Sequence, residues 1–145
     1  MLCGLPAQYR LNCHKPKMNS AVLGIGSNIR PHYNVTAAKH RIAKHFSIVR
    51  ESEFVTTSPI GFKEQPDFIN GAVLIHTEDD FDTVNATLHS IEKSLGRARG
   101  PNKYGPRTVD IDILIWNNKV VNNTVFERDF LKRSITQILP TIKLK

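Results

Sequence analysis

The chain has 145 residues, 40% hydrophobic and 23% charged, with a formal net charge of +7. That length makes one domain able to bury about two-thirds of its unfolded surface. No run approaches the ~18 apolar residues of a membrane span or the apolar core of a secretory leader, so a cytoplasmic protein without a membrane partner is expected.

Cys3 and Cys13 lie close together at the start and have no zinc spacing, which leaves free thiols. Three of the excess positive charges, on Arg10, Lys15 and Lys17, fall there too, with no acid among them. Residues 1–19 show no sustained periodicity and contain a second methionine, Met18. They read as a poorly ordered extension before a domain covering 20–145.

Residues 21–25 form a short apolar strand that Gly26-Ser27-Asn28 interrupts. The pattern Gly24-x-Gly26-Ser-Asn lacks the third glycine of a dinucleotide fingerprint and the Lys-Ser/Thr of a P-loop, so alone it is a turn. Pro31 suits the first turn of a helix reaching about residue 46, with Val35, Ala38, Ile42 and Phe46 on one face. His40 and His45 do not share a face and read as solvated.

Residues 47–57 have the alternation and β-branching of a second strand, and 67–77 of a third. In the third, Phe68, Asn70 and Ala72 share one face while Ile69, Gly71 and Val73 take the other. Asn70 is either a satisfied buried amide or a hydrogen-bonding partner for a ligand on the sheet. A helix follows over 78–95, with Glu78, Asp79 and Asp80 at its positive end and Gly96 at its stop. Val84, Leu88, Ile91 and Leu95 face inward, and Glu92 falls at the edge of that face.

Arg97, Arg99, Lys103 and Arg107 follow with no acid between them, a local positive field that attracts phosphate, whether of a nucleotide or a nucleic acid. From Val109 the chain reads as a strand. Residues two apart in a strand point the same way, ~6.5 Å apart at Cα, so Asp110 and Asp112 emerge together, opposite Val109, Ile111 and Ile113. Two like charges so close need a cation or a shared proton, and carboxylates are the usual protein ligands of Mg²⁺ beside substrate phosphates. Arg107 adds a forked phosphate donor. The alternative is the solvated side of an edge strand. Asn117-Asn118 reads as a tight hairpin turn with a return strand, and 127–139 as a last helix with Phe130, Leu131, Ile135, Ile138 and Leu139 inward, stopped by Pro140.

The order β-α-β-β-α-β, with an added hairpin strand and a C-terminal helix, predicts an α+β, ferredoxin-like sandwich with an antiparallel sheet and helices on one face. The other face is left for a ligand.

With these elements placed, Gly96-Arg97-x-Arg99, five intervening residues, and Gly105-Pro106-Arg107-Thr108-x-Asp110-x-Asp112 form a long, specific pattern. Together with Gly26-Ser27-Asn28, Gln65-Pro66-Asp67-Phe68-Ile69-Asn70 and Glu92, in the same order and spacing, it resembles the 6-hydroxymethyl-7,8-dihydropterin pyrophosphokinase family. The resemblance implies an ATP-dependent enzyme of folate biosynthesis, a monomer acting on small molecules, which moves pyrophosphate from ATP to a pterin alcohol and releases AMP. It implies that Asp110 and Asp112 hold two Mg²⁺ ions, with Arg97 and Arg107 beside them as catalytic groups. Thr57, Ile60, Phe68, Asn70, Tyr104 and Phe130 would form the pterin pocket, and Glu92, Arg97, Arg99, Arg107, Ile113 and Arg128 the ATP site. Members of the family usually have a longer connection after the hairpin, with a His that contacts ATP phosphate; here Asn122-Asn123-Thr124-Val125-Phe126-Glu127 runs directly to Arg128 without one. Two other readings stand beside the active enzyme. One is a member that binds pterin or nucleotide with little turnover. The other, an RNA-binding ferredoxin-like domain, calls for solvent-facing aromatics with Arg or Lys where this chain has paired acids, and no nucleic-acid partner is expected.

Overall fold

The computed structural model describes residues 17–61, 64–96 and 108–144. The extension predicted for 1–19 therefore lies almost wholly outside the described residues, and β1 begins at Asn19. The elements in order are β1 (Asn19–Ser27), α1 (Pro31–His45), β2 (Ser47–Glu51), β3 (Val55–Thr57), β4 (Phe68–Thr77), α2 (Phe81–Ser94), β5 (Asp110–Trp116), β6 (Lys119–Val120) and α3 (Asp129–Ile138). The sheet runs β2-β4-β1-β5-β6, with β3 also on β4, and every pairing is antiparallel. This is the ferredoxin-like arrangement with a hairpin strand added at one edge.

Alternation along the strands divides the core in two. Ala21, Leu23, Ile25, Ile69, Val73, Ile75, Ile111 and Ile113 point to the face covered by α1 and α2, where Val35, Ala38, Ile42, Val84, Leu88 and Ile91 meet them. Each such Val, Leu or Ile side chain contributes ~1.5–3 kcal/mol by leaving water. Val22, Ala72, Leu74, Leu114 and Ile115 point the other way and pack under α3 through Leu131, Ile135 and Ile138. The face expected to be free for a ligand is thus shared, with α3 covering part of it.

The pairing of β1 with β5 shifts register between Val22 and Leu23, leaving Leu114 as an extra residue on β5. Such a bulge turns two successive side chains to one side, which is why Leu114 and Ile115 both belong to the α3 core.

Three local readings need correction. Residues 47–57 are two strands, because Ser52 turns the chain: its amide and hydroxyl oxygen both bond Ala72 on β4, at 2.9 and 2.8 Å. Phe54 then lays its ring where a Cβ on Gly71 would stand, 2.5 Å away. Gly26 and Ser27 do not break β1, which pairs through Ser27 with Ile69. The second long helix starts at Phe81, with Asp80 as its N-cap accepting from the Thr83 amide at 2.8 Å. The hairpin turn is as expected: Asn117 and Asn118 both have positive φ, 49° and 68°, as a two-residue hairpin matching strand twist requires. His40 and His45 are exposed.

Candidate active site

The cleft lies on the α3 side of the sheet, at the end of the strands that α3 does not cover. Its floor is β1. Gly26 stands between Asn70 on β4 and Asp110 on β5, and Gly24 between Ala72 and Asp112. Neither glycine adopts a left-handed conformation; their role is the side chain they lack. A Cβ on Gly26 would lie 2.3 Å from Asn70 Oδ1, and one on Gly24 would lie 3.0 Å from Leu114 Cδ1. The missing side chains leave a depression of about 240 Å³.

Gly24, Gly26, Thr57, Ser58, Ile60, Phe68, Asn70, Asp110, Asp112, Leu114, Asn122, Thr124, Arg128, Phe130 and Leu131 are among its lining residues. One side is suited to a flat polar heterocycle. Phe68 and Phe130 offer aromatic faces, and the Asn70 amide donates to Thr57 Oγ1 at 2.6 Å with its oxygen beside Gly26. Asn70 is half-buried: its amide is satisfied by Thr57, and it borders the cleft.

The other side carries charge. Asp110 is half-buried and Asp112 exposed, on the same face of β5 and opposite the apolar Ile111 and Ile113. Among the described residues no group of three or more His, Cys, Asp or Glu could hold a metal. Two hard oxygen donors over a bare backbone floor fit Mg²⁺, which takes few protein ligands and keeps its water and phosphate ligands. A softer, fully protein-ligated metal does not fit this donor set.

The chain leaving β1 is fixed by the buried Asn28 amide and the Ser27 hydroxyl. Asn28 donates to Gln65 Oε1 at 2.7 Å and to the Pro66 carbonyl at 3.0 Å, while the Ser27 hydroxyl donates to the carbonyl of Thr108 just before β5. The Gly-Ser-Asn and Gln-Pro motifs thus hold each other, and with them the mouth of the cleft.

The structure gathers Thr57, Ile60, Phe68, Asn70, Asp110, Asp112, Arg128 and Phe130 around this one cleft. Two other predicted residues lie elsewhere. The Ile113 side chain packs in the core under α1 and α2. Glu92 is only 3% exposed, and its carboxylate accepts from the Ile111 amide at 2.8 Å. Among the described residues β6 pairs only with Ile115 and Trp116, so in β5's first half that carboxylate stands in for a neighbouring strand. It bonds the residue between the two aspartates. Arg97, Arg99, Tyr104 and Arg107 lie outside the described residues.

Sequence reasoning missed Gly24 and Gly26 as a floor, and Ser58, Asn122 and Thr124 as walls. The signal for the glycines was present: two apart, they share one face of a strand, the face that Asn70 and Asp110 also use.

The family model for 7,8-dihydro-6-hydroxymethylpterin-pyrophosphokinase matches residues 22–140. A 2-amino-4-hydroxy-6-hydroxymethyldihydropteridine pyrophosphokinase of Haemophilus influenzae is 33% identical over 109 residues, covering 73% of this chain and 68% of that protein. The protein of the same name from Bacillus subtilis is 32% identical over 138 residues, 86% of this chain and 81% of its own length. The folate synthesis bifunctional protein of Arabidopsis thaliana is 29% identical over 130 residues, and the match spans 27% of its length.

Proposed function

The chain belongs to the 7,8-dihydro-6-hydroxymethylpterin-pyrophosphokinase family, and from that premise we propose how its cleft carries out the transfer. The enzyme moves pyrophosphate from ATP to the hydroxymethyl group of 6-hydroxymethyl-7,8-dihydropterin in folate biosynthesis, releasing AMP. In our reading the pterin lies between Phe68 and Phe130, with the Asn70 amide pairing its edge and Thr57 and Ile60 closing the side. ATP extends across Asp110 and Asp112 toward Arg128.

Two Mg²⁺ ions held by Asp110 and Asp112 would neutralise phosphate charge and polarise the β-phosphorus. The residues of the chain bind and align. Phe68, Asn70 and Phe130 hold the pterin so that its hydroxyl oxygen faces the β-phosphorus, opposite the oxygen that leaves with AMP. Arg128 offers charge-assisted donors to the phosphates. Arg97, Arg99, Tyr104 and Arg107 complete the site in this proposal, as the family resemblance implies. Glu92 acts by position: its bond to Ile111 holds β5 straight between the two aspartates. The reacting O–P bond forms as the bridging P–O bond breaks, and no protein nucleophile is required, so positioning and electrostatics supply the rate. We also assign the protein to the cytoplasm, as a monomer.

The observation that carries this reading is the row Asn70-Gly26-Asp110 across three strands, which sets an amide suited to a heterocycle and a carboxylate suited to a metal on either side of a floor with no side chain. The reading of an RNA-binding sheet is not supported, since α3 and the paired acids occupy the face it needs. The test is Mg²⁺-dependent AMP release by the purified protein, with and without the pterin. Pterin-dependent AMP is expected; pterin binding without AMP would mark a binding protein.

A further inference from the structure

Where the chain leaves β6 it makes a short 3-10 turn, Asn123–Phe126, before α3, and the residue that caps this turn has a second capacity. The Asn122 side-chain oxygen accepts from both the amide and the hydroxyl of Thr124, at 3.0 and 2.7 Å. A backbone N–H can only donate, so these bonds fix which end of the amide is oxygen. Both the Thr124 amide and the Asn122 oxygen are committed to the turn. What Asn122 has left to offer is its Nδ2 group, which has two donor hydrogens and no hydrogen-bond partner among the described residues.

Its placement gives that donor an object. Asn122 lines the same cleft as Asp110, Asp112 and Arg128. It follows β6, which pairs with β5, while Thr57, Phe68 and Asn70 of the heterocycle side stand on β3 and β4, on the far side of β1. The aspartates thus stand between the heterocycle side and Asn122. The turn itself is anchored, because Val125 is fully buried in the core beneath α3. A neutral donor on a fixed turn, beside a cation-binding pair and an arginine, suits an anionic phosphate oxygen and does not suit a cation.

We propose that Asn122 is a phosphate-binding residue for the nucleotide, its oxygen building the turn and its amide nitrogen donating to an ATP phosphate oxygen. This rests on the functional reading above. It gives the short connection between β6 and α3 a ligand contact of its own.

The two halves of the amide can be separated by substitution. Asn122→Ser keeps a neutral cap of equal rank but shortens the donor, and Asn122→Asp keeps the cap oxygen but replaces the nitrogen with an anionic oxygen. The probe is α,β-methylene-ATP with Mg²⁺, titrated calorimetrically beside the pterin alone. Both variants should melt with the wild type and bind the pterin within twofold of it. Nucleotide affinity should fall roughly tenfold for Asn122→Ser, the size of one hydrogen bond to a charged group, and further for Asn122→Asp. Wild-type affinity in Asn122→Ser would overturn the proposal, even if Asn122→Asp were weakened, since that pattern is charge repulsion alone. Equal losses for pterin and nucleotide would overturn it as well, by showing a collapsed cleft. A wild-type protein that binds no nucleotide would overturn the functional reading itself, a result distinct from tight wild-type binding that Asn122→Ser leaves unchanged.

Discussion

The two faces of the sheet are made of the same strands and differ in every alternate residue. On the face under α1 and α2, Ala21, Leu23, Ile25, Ile69, Val73, Ile75, Ile111 and Ile113 of β1, β4 and β5 are apolar and buried. On the other, Val22, Ala72, Leu74, Leu114 and Ile115 are buried under α3; beyond it the strands carry Gly24, Gly26, Phe68, Asn70, Asp110 and Asp112. The first face supplies the free energy that keeps the strands in register. The second uses that register to place polar groups and bare backbone around the cleft. Function here occupies half of a strand's side chains and depends on the other half.

This comparison can be broken from either side. The largest effect should come from Asp110→Asn or Asp112→Asn, each lowering pterin-dependent AMP release by at least roughly a thousandfold, since charge neutralisation carries most of the rate. Pterin affinity should stay within a few-fold by calorimetry. On the buried face, Leu88→Ala should cost ~2–5 kcal/mol in denaturant unfolding while the folded fraction keeps its kcat. A matching loss of kcat would show that the two faces are not separable. Gly26→Ala should fold but bind the pterin roughly tenfold more weakly, as the new methyl displaces the Asn70 amide.

The smallest effect concerns a group on neither face. The Asp80 carboxyl is held below its usual range by hydrogen bonds from Thr83 at the start of α2. A carboxylate with a depressed folded pKa contributes stability that is present above the ordinary pKa, near 3.8, and is lost as pH falls through the lower folded value. Asp80→Asn keeps a capping oxygen without the charge, so the variant should melt slightly below the wild type at pH 6. The difference should close as the pH is lowered past 3.8.

What could be read from the sequence was what period alone decides. Asp110 and Asp112 had to share a face once Val109 to Trp116 was a strand, and the paired asparagines at 117 and 118 had to be a turn, because few other residues accept positive φ in succession. What could not be read depended on a neighbour. Gly24 and Gly26 looked like the end of a strand because glycine usually ends one, and only the pairing with Asn70 and Asp110 shows them as a floor. The split between β2 and β3 contains neither glycine nor proline; it arises because Ser52 satisfies Ala72 and frees Phe54 to fill the space over Gly71. Glu92 sat at the edge of a helical stripe, and its object, an amide in the half of β5 that β6 does not reach, lies 19 residues further on.

Gly24 and Gly26 also bear on how this chain can change over generations. Glycine inside a strand lowers stability by ~0.5–1 kcal/mol relative to alanine wherever a Cβ fits, so once Asn70 and Leu114 give way a lineage under pressure for stability alone has an incentive to replace both. Each replacement would put a methyl group onto the cleft floor, where the proposed function places the ligand. These are positions where selection for the fold and selection for the ligand pull in opposite directions. A descendant that no longer needed the reaction should lose its glycines there before it lost a single leucine from the other face.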